Sequence, residues 1–334
     1  MIFFRKILFP FAVLYGWITQ LRNFLYDIGI FKSYAFDVPI IAVGNLSVGG
    51  TGKTPQIEYL IRLLSEKYRV ATLSRGYKRQ SKGFILANES STANQLGDEP
   101  YQFFIKFPNI HVAVDANRRN GIEQLLSLPD KPEVILLDDA FQHRRVKAGL
   151  YILLTAYDDL FCDDFILPAG NLRESRSGAK RSDIIIVTKC PEIILPQERE
   201  NIKRKIGLDK PIFFSSISYD ENIYSKKTSI KVSEIRNVNK LLLAGIAKPQ
   251  SFLNYLKNDN DTVMVFPDHH NFTADEILTI KSKDTVNLIV TTEKDYVRLK
   301  DSISDDQLFY LPIKISFISN QTIFDSSICN YLSN

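Results

Sequence analysis

The chain is poor in the residues that build metal centres and disulfide frameworks. Its 334 residues include three cysteines and four histidines. Cys162, Cys190 and Cys329 are far apart, odd in number and without metal-ligand spacing. That excludes a zinc module or a disulfide scaffold and favours buried thiols in a reducing compartment. The excess of one sign of charge is small too. A net charge of +4 supplies no basic field that demands nucleic acid as a partner. No apolar stretch reaches the ~20 residues of a spanning helix. Internal repeats and low-complexity blocks are absent, so the chain has ordinary globular composition and enough length for two domains.

What is present centres on the stretch from Val43 to Pro55. The apolar run Val38 to Val43 reads as a buried strand, and Gln56 to Lys67 carries Ile57, Leu60, Ile61 and Leu64 at helical spacing. A glycine-rich turn ending in Gly-Lys-Thr between a strand and a helix is the context of a phosphate-binding loop. Ser47, Val48, Gly49, Gly50, Thr51, Gly52, Lys53 and Thr54 would wrap the phosphates of ATP, with backbone N–H groups and the positive end of the helix dipole pointing inward. Lys53 would reach the β and γ phosphates, and Thr54 would offer its hydroxyl to Mg²⁺. Ser47 stands where a glycine usually opens such a loop; the nearest earlier glycine is Gly44. A plain glycine-rich surface turn leaves Lys53-Thr54 unexplained.

Further candidates follow in order. Arg75 lies on the loop after a strand over Arg69 to Ser74, where α/β sheets bind ligands, although taken alone a solvated basic turn is the simpler account. Asp98 opens a helix as a simple cap or, with the right neighbours, acts as a general base. Arg118 and Arg119 begin another helix and either neutralise phosphate or face water. The aliphatic run Glu133 to Leu137 ends in Asp138-Asp139. Two adjacent carboxylates repel without a cation, so they read as the Mg²⁺ pole of the nucleotide site. Gln142 and His143 follow closely, and a later loop, Leu167 to Ser175, carries Arg173 and Glu174. Apolar strands alternating with helical segments indicate a mainly parallel sheet.

Met1 to Ile30 is the most apolar part. Arg5-Lys6 precede Ile7 to Ile18, with Phe9, Phe11, Leu14, Tyr15 and Trp17, before Thr19, Gln20 and Arg22 interrupt. The run is too short to span and lacks a signal cleavage site. Its aromatics and flanking cations suit a helix lying in a membrane interface. Packing against the first domain is the alternative, and a separate face can serve each purpose. Beyond residue 210, Pro211 to Ser225 reads as extended, and a smaller α/β unit follows. Its strands are expected over Lys240–Ile246, Val263–Phe266, Asn287–Thr291 and Phe309–Ile315, the last preceding a C-terminal helix. Thr273 and Glu276 form a capping box. His269 and His270 lack a further ligand nearby for a metal site.

Taken in order, Val43–Pro55, Ser74-Arg75-Gly76-Tyr77, Gly97-Asp98-Glu99-Pro100, Asp138–His143, Leu167–Glu174, Ala244–Pro249, Asp268-His269 and Thr292–Asp295 resemble the tetraacyldisaccharide 4′-kinase family of lipid A biosynthesis. The likeness runs over nearly the whole chain, and Ser47 becomes part of its pattern. Ala140 and Ala247 stand at frequent glycine positions. The resemblance implies ATP- and Mg²⁺-dependent phosphorylation of the 4′-hydroxyl of an acylated glucosamine disaccharide 1-phosphate to give lipid IVA, at the cytoplasmic face of the inner membrane by a peripheral or monotopic protein. It selects His269 over His270, to pair with Asp98 as proton acceptor, alongside Lys53 and Asp139. Asp138, Asp139 and Thr54 would hold Mg²⁺, with Gln142, His143 and Glu174 as ligands or behind them. Arg75, Arg118 and Arg173 are candidates for the substrate phosphate on charge alone.

The expected architecture is α/β: a P-loop three-layer α/β/α domain over 31–210 preceded by an interfacial helix over 1–30. An extended β linker over 211–235 would join it to a smaller α/β domain over 236–334. A soluble P-loop kinase or nucleotide hydrolase, and a membrane-surface nucleotide-binding switch, are the competing readings.

Overall fold

The computed structural model describes residues 7–268, 270–282 and 288–333; His269 lies outside them. The first half runs α1 (Phe9–Asp27), β1 (Ile40–Asn45), α2 (Lys53–Leu64), β2 (Val70–Ser74), β3 (Ile85–Leu86), α3 (Ala93–Leu96), α4 (Asp98–Lys106), β4 (His111–Val114), α5 (Arg118–Leu126), β5 (Val134–Asp138), β6 (Leu150–Ala156), β7 (Ile184–Thr188), α6 (Pro196–Ile206) and β8 (Ile212–Tyr219). The second runs β9 (Asn222–Tyr224), β10 (Ser229–Lys231), α7 (Val232–Ile235), β11 (Leu241–Ala244), α8 (Gln250–Leu256), β12 (Thr262–Val265), α9 (Ala274–Lys281), β13 (Ile289–Thr292), α10 (Glu293–Leu299), β14 (Leu308–Leu311), β15 (Ile313–Phe317) and α11 (Gln321–Ser333).

Aliphatic strands buried on both faces build the large sheet, ordered β15-β8-β7-β6-β1-β5-β2-β4-β3. Its central pairs are parallel. Successive side chains leave a strand on opposite faces. Ile184 and Ile186 accordingly enter the core shared with α2, while Ile185 and Val187 enter the one shared with α6. Both faces are therefore covered, which gives the three-layer α/β arrangement expected. The smaller sheet, β10-β9-β14-β13-β11-β12, holds its own core around Leu242, Val290 and Phe252.

The C-terminal segment departs from the sequence reading. One strand was expected over Phe309–Ile315, but Pro312 divides it into β14 in the small sheet and β15 in the large one. Proline lacks the N–H that a continuous ladder needs. β15 runs antiparallel to β8, and α11 lays Phe324 against Phe213, Phe317 and Tyr59. Residues after Leu311 thus pack with the first unit, unlike the expected division at 236–334. Local periodicity does not report such a return crossing.

Helix α1 presents two unlike faces. Ala12, Gly16 and Thr19 are buried, and a Cβ at Gly16 would lie 3.2 Å from Ile166. Phe11, Leu14, Trp17, Ile18, Leu21 and Phe24 are all exposed, Trp17 at 70%. Among the described residues no helix is long and apolar enough to cross a membrane.

Candidate active site

Neighbouring parallel strands finish at one sheet edge, where α/β folds bind ligands. β1 ends at Asn45, β5 at Asp138 and β2 at Ser74, and Val43 and Asp138 are register partners. The loop from Leu46 to Gly52 leaves β1 and turns into α2 through Gly52, whose φ of 83° is in the left-handed region that glycine adopts without cost. Gly44 is required for a different reason. A Cβ there would lie 2.7 Å from Phe141 Cβ and 2.9 Å from its backbone nitrogen, so glycine lets the Asp138–Phe141 turn close against β1.

The loop is braced from outside. Val48 N–H donates to the Asn171 carbonyl at 2.8 Å, and Arg173 N–H to the Leu46 carbonyl at 2.7 Å. Thr188 donates its hydroxyl to the Thr51 carbonyl at 2.8 Å, and Lys189 Nζ donates to the Gly50 carbonyl. Lys53 Nζ reaches Asn45 Oδ1 at 3.3 Å and lies 3.6 Å from Asp139 Oδ1. The lysine is thereby held at the loop mouth.

The two aspartates meet different surroundings. Asp138 is 9% exposed, accepts from the Ser74 hydroxyl at 3.3 Å, and leaves Oδ1 buried without a partner. Burial, then the charge of Asp139, pushes its carboxyl up to about 6. Asp139 has a φ of 47° and receives Arg173 Nη1 on both oxygens at 2.9 Å. Burial acts to raise its pKa, but Lys53 and Arg173 outweigh burial and hold it below the usual carboxylate range. An orphaned buried carboxylate oxygen beside a second carboxylate fits a divalent cation, which satisfies both the lone pair and the repulsion.

Other expected site residues take different places. Glu174 is fully buried, receives Arg181 on both oxygens at 2.8 Å and Asn23 of α1 at 2.6 Å. Its charge is spent on that anchor, and Gln142 Nε2, 3.2 Å away, bonds more closely to the Asn45 carbonyl at 2.7 Å. Arg118 is 2% exposed and donates to the carbonyls of Asp115 and Asp138. It thus clamps the end of β5 from within, rather than facing substrate or water as expected. Burial, then Arg118, Arg75, Arg145 and Arg22, hold the His143 imidazole down to about 4, so it is neutral. Arg75 is exposed.

Asp98 is the first residue of α4, after Gly97, so it sits inside the helix and not at its cap. It accepts from Arg298 of α10, a partner that no sequence signal indicated. His270 is committed elsewhere: Nε2 lies 2.9 Å from Glu276 Oε2, and the ring stacks on Phe266 at 4.9 Å.

A family model described as tetraacyldisaccharide-1-P 4′-kinase matches residues 4–333. The tetraacyldisaccharide 4′-kinase of Flavobacterium psychrophilum is 63% identical over 334 residues, covering 99% of this chain and 97% of that protein. The one from Bacteroides thetaiotaomicron is 47% identical over 342 residues, with 95% and 90% covered. A crystal structure of LpxK from Aquifex aeolicus in complex with ATP matches with a TM-score of 0.80 at 32% identity, covering 98% of this chain and 99% of that one. The chain belongs to the tetraacyldisaccharide 4′-kinase family. As a member, it is a P-loop kinase that uses ATP.

The raised carboxyl of Asp138 has a consequence for stability in this kinase. A folded-state pKa of about 6 against an ordinary 3.8 means that the folded state binds the proton more tightly. Stability therefore falls as pH rises from about 3.8 through about 6, and the cost is complete above that window. Asp138→Asn is expected to stabilise the nucleotide-free protein by on the order of 3 kcal/mol at about pH 8. The gain should fade towards about pH 4, as read from the difference in thermal midpoint. A difference independent of pH would contradict the assignment.

Proposed function

We propose that this chain transfers the γ-phosphoryl group of ATP to the 4′-hydroxyl of an acylated glucosamine disaccharide 1-phosphate, giving a 4′-phosphorylated lipid and ADP. One observation carries the amphiphilic acceptor. The exposed apolar helix α1 is bonded directly to the site, because the Tyr15 hydroxyl donates to the Arg173 carbonyl at 3.0 Å while the Arg173 side chain clamps Asp139. A lipid lying along α1 therefore has its sugar headgroup near the phosphate loop. Family membership supports the same acceptor.

In this reading Lys53 and the N-terminus of α2 neutralise the triphosphate. Asp138, Asp139 and Thr54 would hold Mg²⁺, which when bound offsets charge on the phosphate oxygens. Asp98 accepts the proton of the 4′-hydroxyl as its oxygen bonds to the γ-phosphorus and the bond from phosphorus to the ADP oxygen breaks. The family resemblance would pair His269 with Asp98; His269 itself lies outside the described residues. Glu174 and Gln142 secure the loop and α1, Arg173 orients Asp139, and Arg75, which is exposed, remains the candidate for the substrate 1-phosphate.

The exposed face of α1 supports a peripheral or monotopic position at the cytoplasmic face of the inner membrane, where ATP and the lipid acceptor meet. Replacing Trp17, Ile18 and Leu21 together with serine is expected to abolish cosedimentation with anionic phospholipid vesicles while nucleotide binding persists; undiminished cosedimentation would contradict the membrane reading.

The transfer itself is tested with γ-labelled ATP against acylated disaccharide 1-phosphate and against soluble glucosamine sugars. Label is expected in the lipid alone, and label in a soluble sugar or only in inorganic phosphate would overturn the reading. Asp98→Asn should lower kcat by about 100-fold to 10,000-fold with nucleotide affinity little changed; retained turnover would remove Asp98 from the proton transfer.

A further inference from the structure

Helix α4, which carries Asp98, is clasped along its length by charges of the second unit. Arg298 Nη2 donates to Asp98 Oδ2. Lys294 Nζ lies 3.4 Å from Glu99 Oε1, Lys300 donates to the Tyr101 hydroxyl, and Lys106 of α4 reaches Glu293. Arg298 differs from the others in what else it holds. Its Nη1 donates at 3.0 Å to the carbonyl oxygen of His270, and its side chain is 12% exposed.

One guanidinium thus bonds a carboxylate of the first unit and the main chain of the loop after β12 in the second. Its N–H donors form a planar, fixed fork, so fixing one bond directs the other. A lysine ammonium is a point charge on a flexible stem and lacks that fork. The far end of the fork is pinned as well. His270 is held by Glu276, and Glu276 accepts from the Thr273 N–H at 2.8 Å in closing the capping box of α9.

We propose that Arg298 is a positioning residue for the phosphoryl transfer, orienting the Asp98 carboxylate against the second-unit loop that follows β12. The inference rests on the reading of Asp98 as proton acceptor. In this role Arg298 acts through Asp98, to which it donates. A carboxylate has about four lone-pair sites on its two oxygens, so a bond at Oδ2 is compatible with an acceptor hydroxyl on the same group. The arrangement also links the chemistry to the second unit, because the Arg298 bond to Asp98 is made while α10 lies against α4.

Arg298→Ala and Arg298→Lys are compared with the wild type, and with Lys300→Ala as a control at the same interface. Transfer is measured from ATP and Mg²⁺ to the acylated disaccharide 1-phosphate, and nucleotide affinity is read with a fluorescent ATP analogue. A lost orientation predicts a fall in kcat of about 100-fold for Arg298→Ala, with nucleotide affinity unchanged. Added guanidinium ion should restore part of the Arg298→Ala rate, Arg298→Lys should be intermediate, and Lys300→Ala should lose far less than Arg298→Ala and not respond to guanidinium. Equal losses in Arg298→Ala and Lys300→Ala, with no response to guanidinium, would assign the contact to helix packing and overturn the proposal. Wild-type kcat in Arg298→Ala would also overturn it.

Should Arg298→Ala fail to bind nucleotide, Arg298→Lys decides: reduced kcat at unchanged nucleotide affinity supports positioning, and wild-type kcat contradicts it. The two readings fail separately. Absence of labelled lipid from the wild type defeats the kinase reading, whereas equal lipid labelling by the wild type and Arg298→Ala defeats the positioning role alone.

Discussion

Glu58 is buried in helix α2 at 1% exposure and must be neutralised where it lies, because an unpaired buried carboxylate is costly. Lys106 at the end of α4 meets it at 2.6 Å, and Arg62 and Gln102 each donate to it at 2.8 Å. The same ammonium reaches Glu293 at the start of α10. Burial, then Glu58, raises the Glu293 carboxyl while Lys106 pulls it back. One cation therefore ties the helix of the phosphate loop, the helix bearing Asp98 and the second unit together. With Arg298 and Lys294 at the other end of α4, that helix is held at both ends by charges from across the molecule.

The other half of the site solves a repulsion problem. Two consecutive carboxylates at the end of β5 are kept apart in character: Asp138 is desolvated against Ser74, and Asp139 is turned out and clamped by Arg173 with Lys53 nearby. Arg173 is central because its backbone extends the phosphate loop, its side chain fixes Asp139, and its carbonyl receives Tyr15 from α1. The next residue, Glu174, binds α1 again through Asn23. The apolar helix is consequently part of the same bonded network as the Asp138-Asp139 pair, and its small-residue face is what permits the close approach.

Much of this was legible because the signals are local. A strand, a glycine turn and Lys53-Thr54 announce a phosphate loop within a dozen or so residues, and an aliphatic run ending in Asp138-Asp139 announces its partner. Thr273 and Glu276 announced their helix start in the same way. What escaped was set by distance along the chain. Arg298 and Asp98 are 200 residues apart, and Lys106 and Glu293 are 187 apart, so no window of sequence contains either pair. Arg118 was placed by charge alone and Glu174 as a metal ligand or a residue behind one, although each is buried and used as an internal fastener. The return of β15 to the large sheet had only Pro312 as its mark, and a single proline does not say where the chain goes next.

The central claim is that charge pairing between α4 and α10 makes two units into one catalytic site. Exchanging the charges of one pair, Glu99 and Lys294, tests it with Asp98 and the phosphate loop left unsubstituted. Each reversal alone, Glu99→Lys or Lys294→Glu, is expected to lower the rate of lipid phosphorylation by about tenfold or more while ATP analogue binding persists, since a like-charged pair pushes the helices apart. The double exchange should recover most of the wild-type rate. Single variants as active as the wild type, or a double variant no better than either single one, would contradict the account.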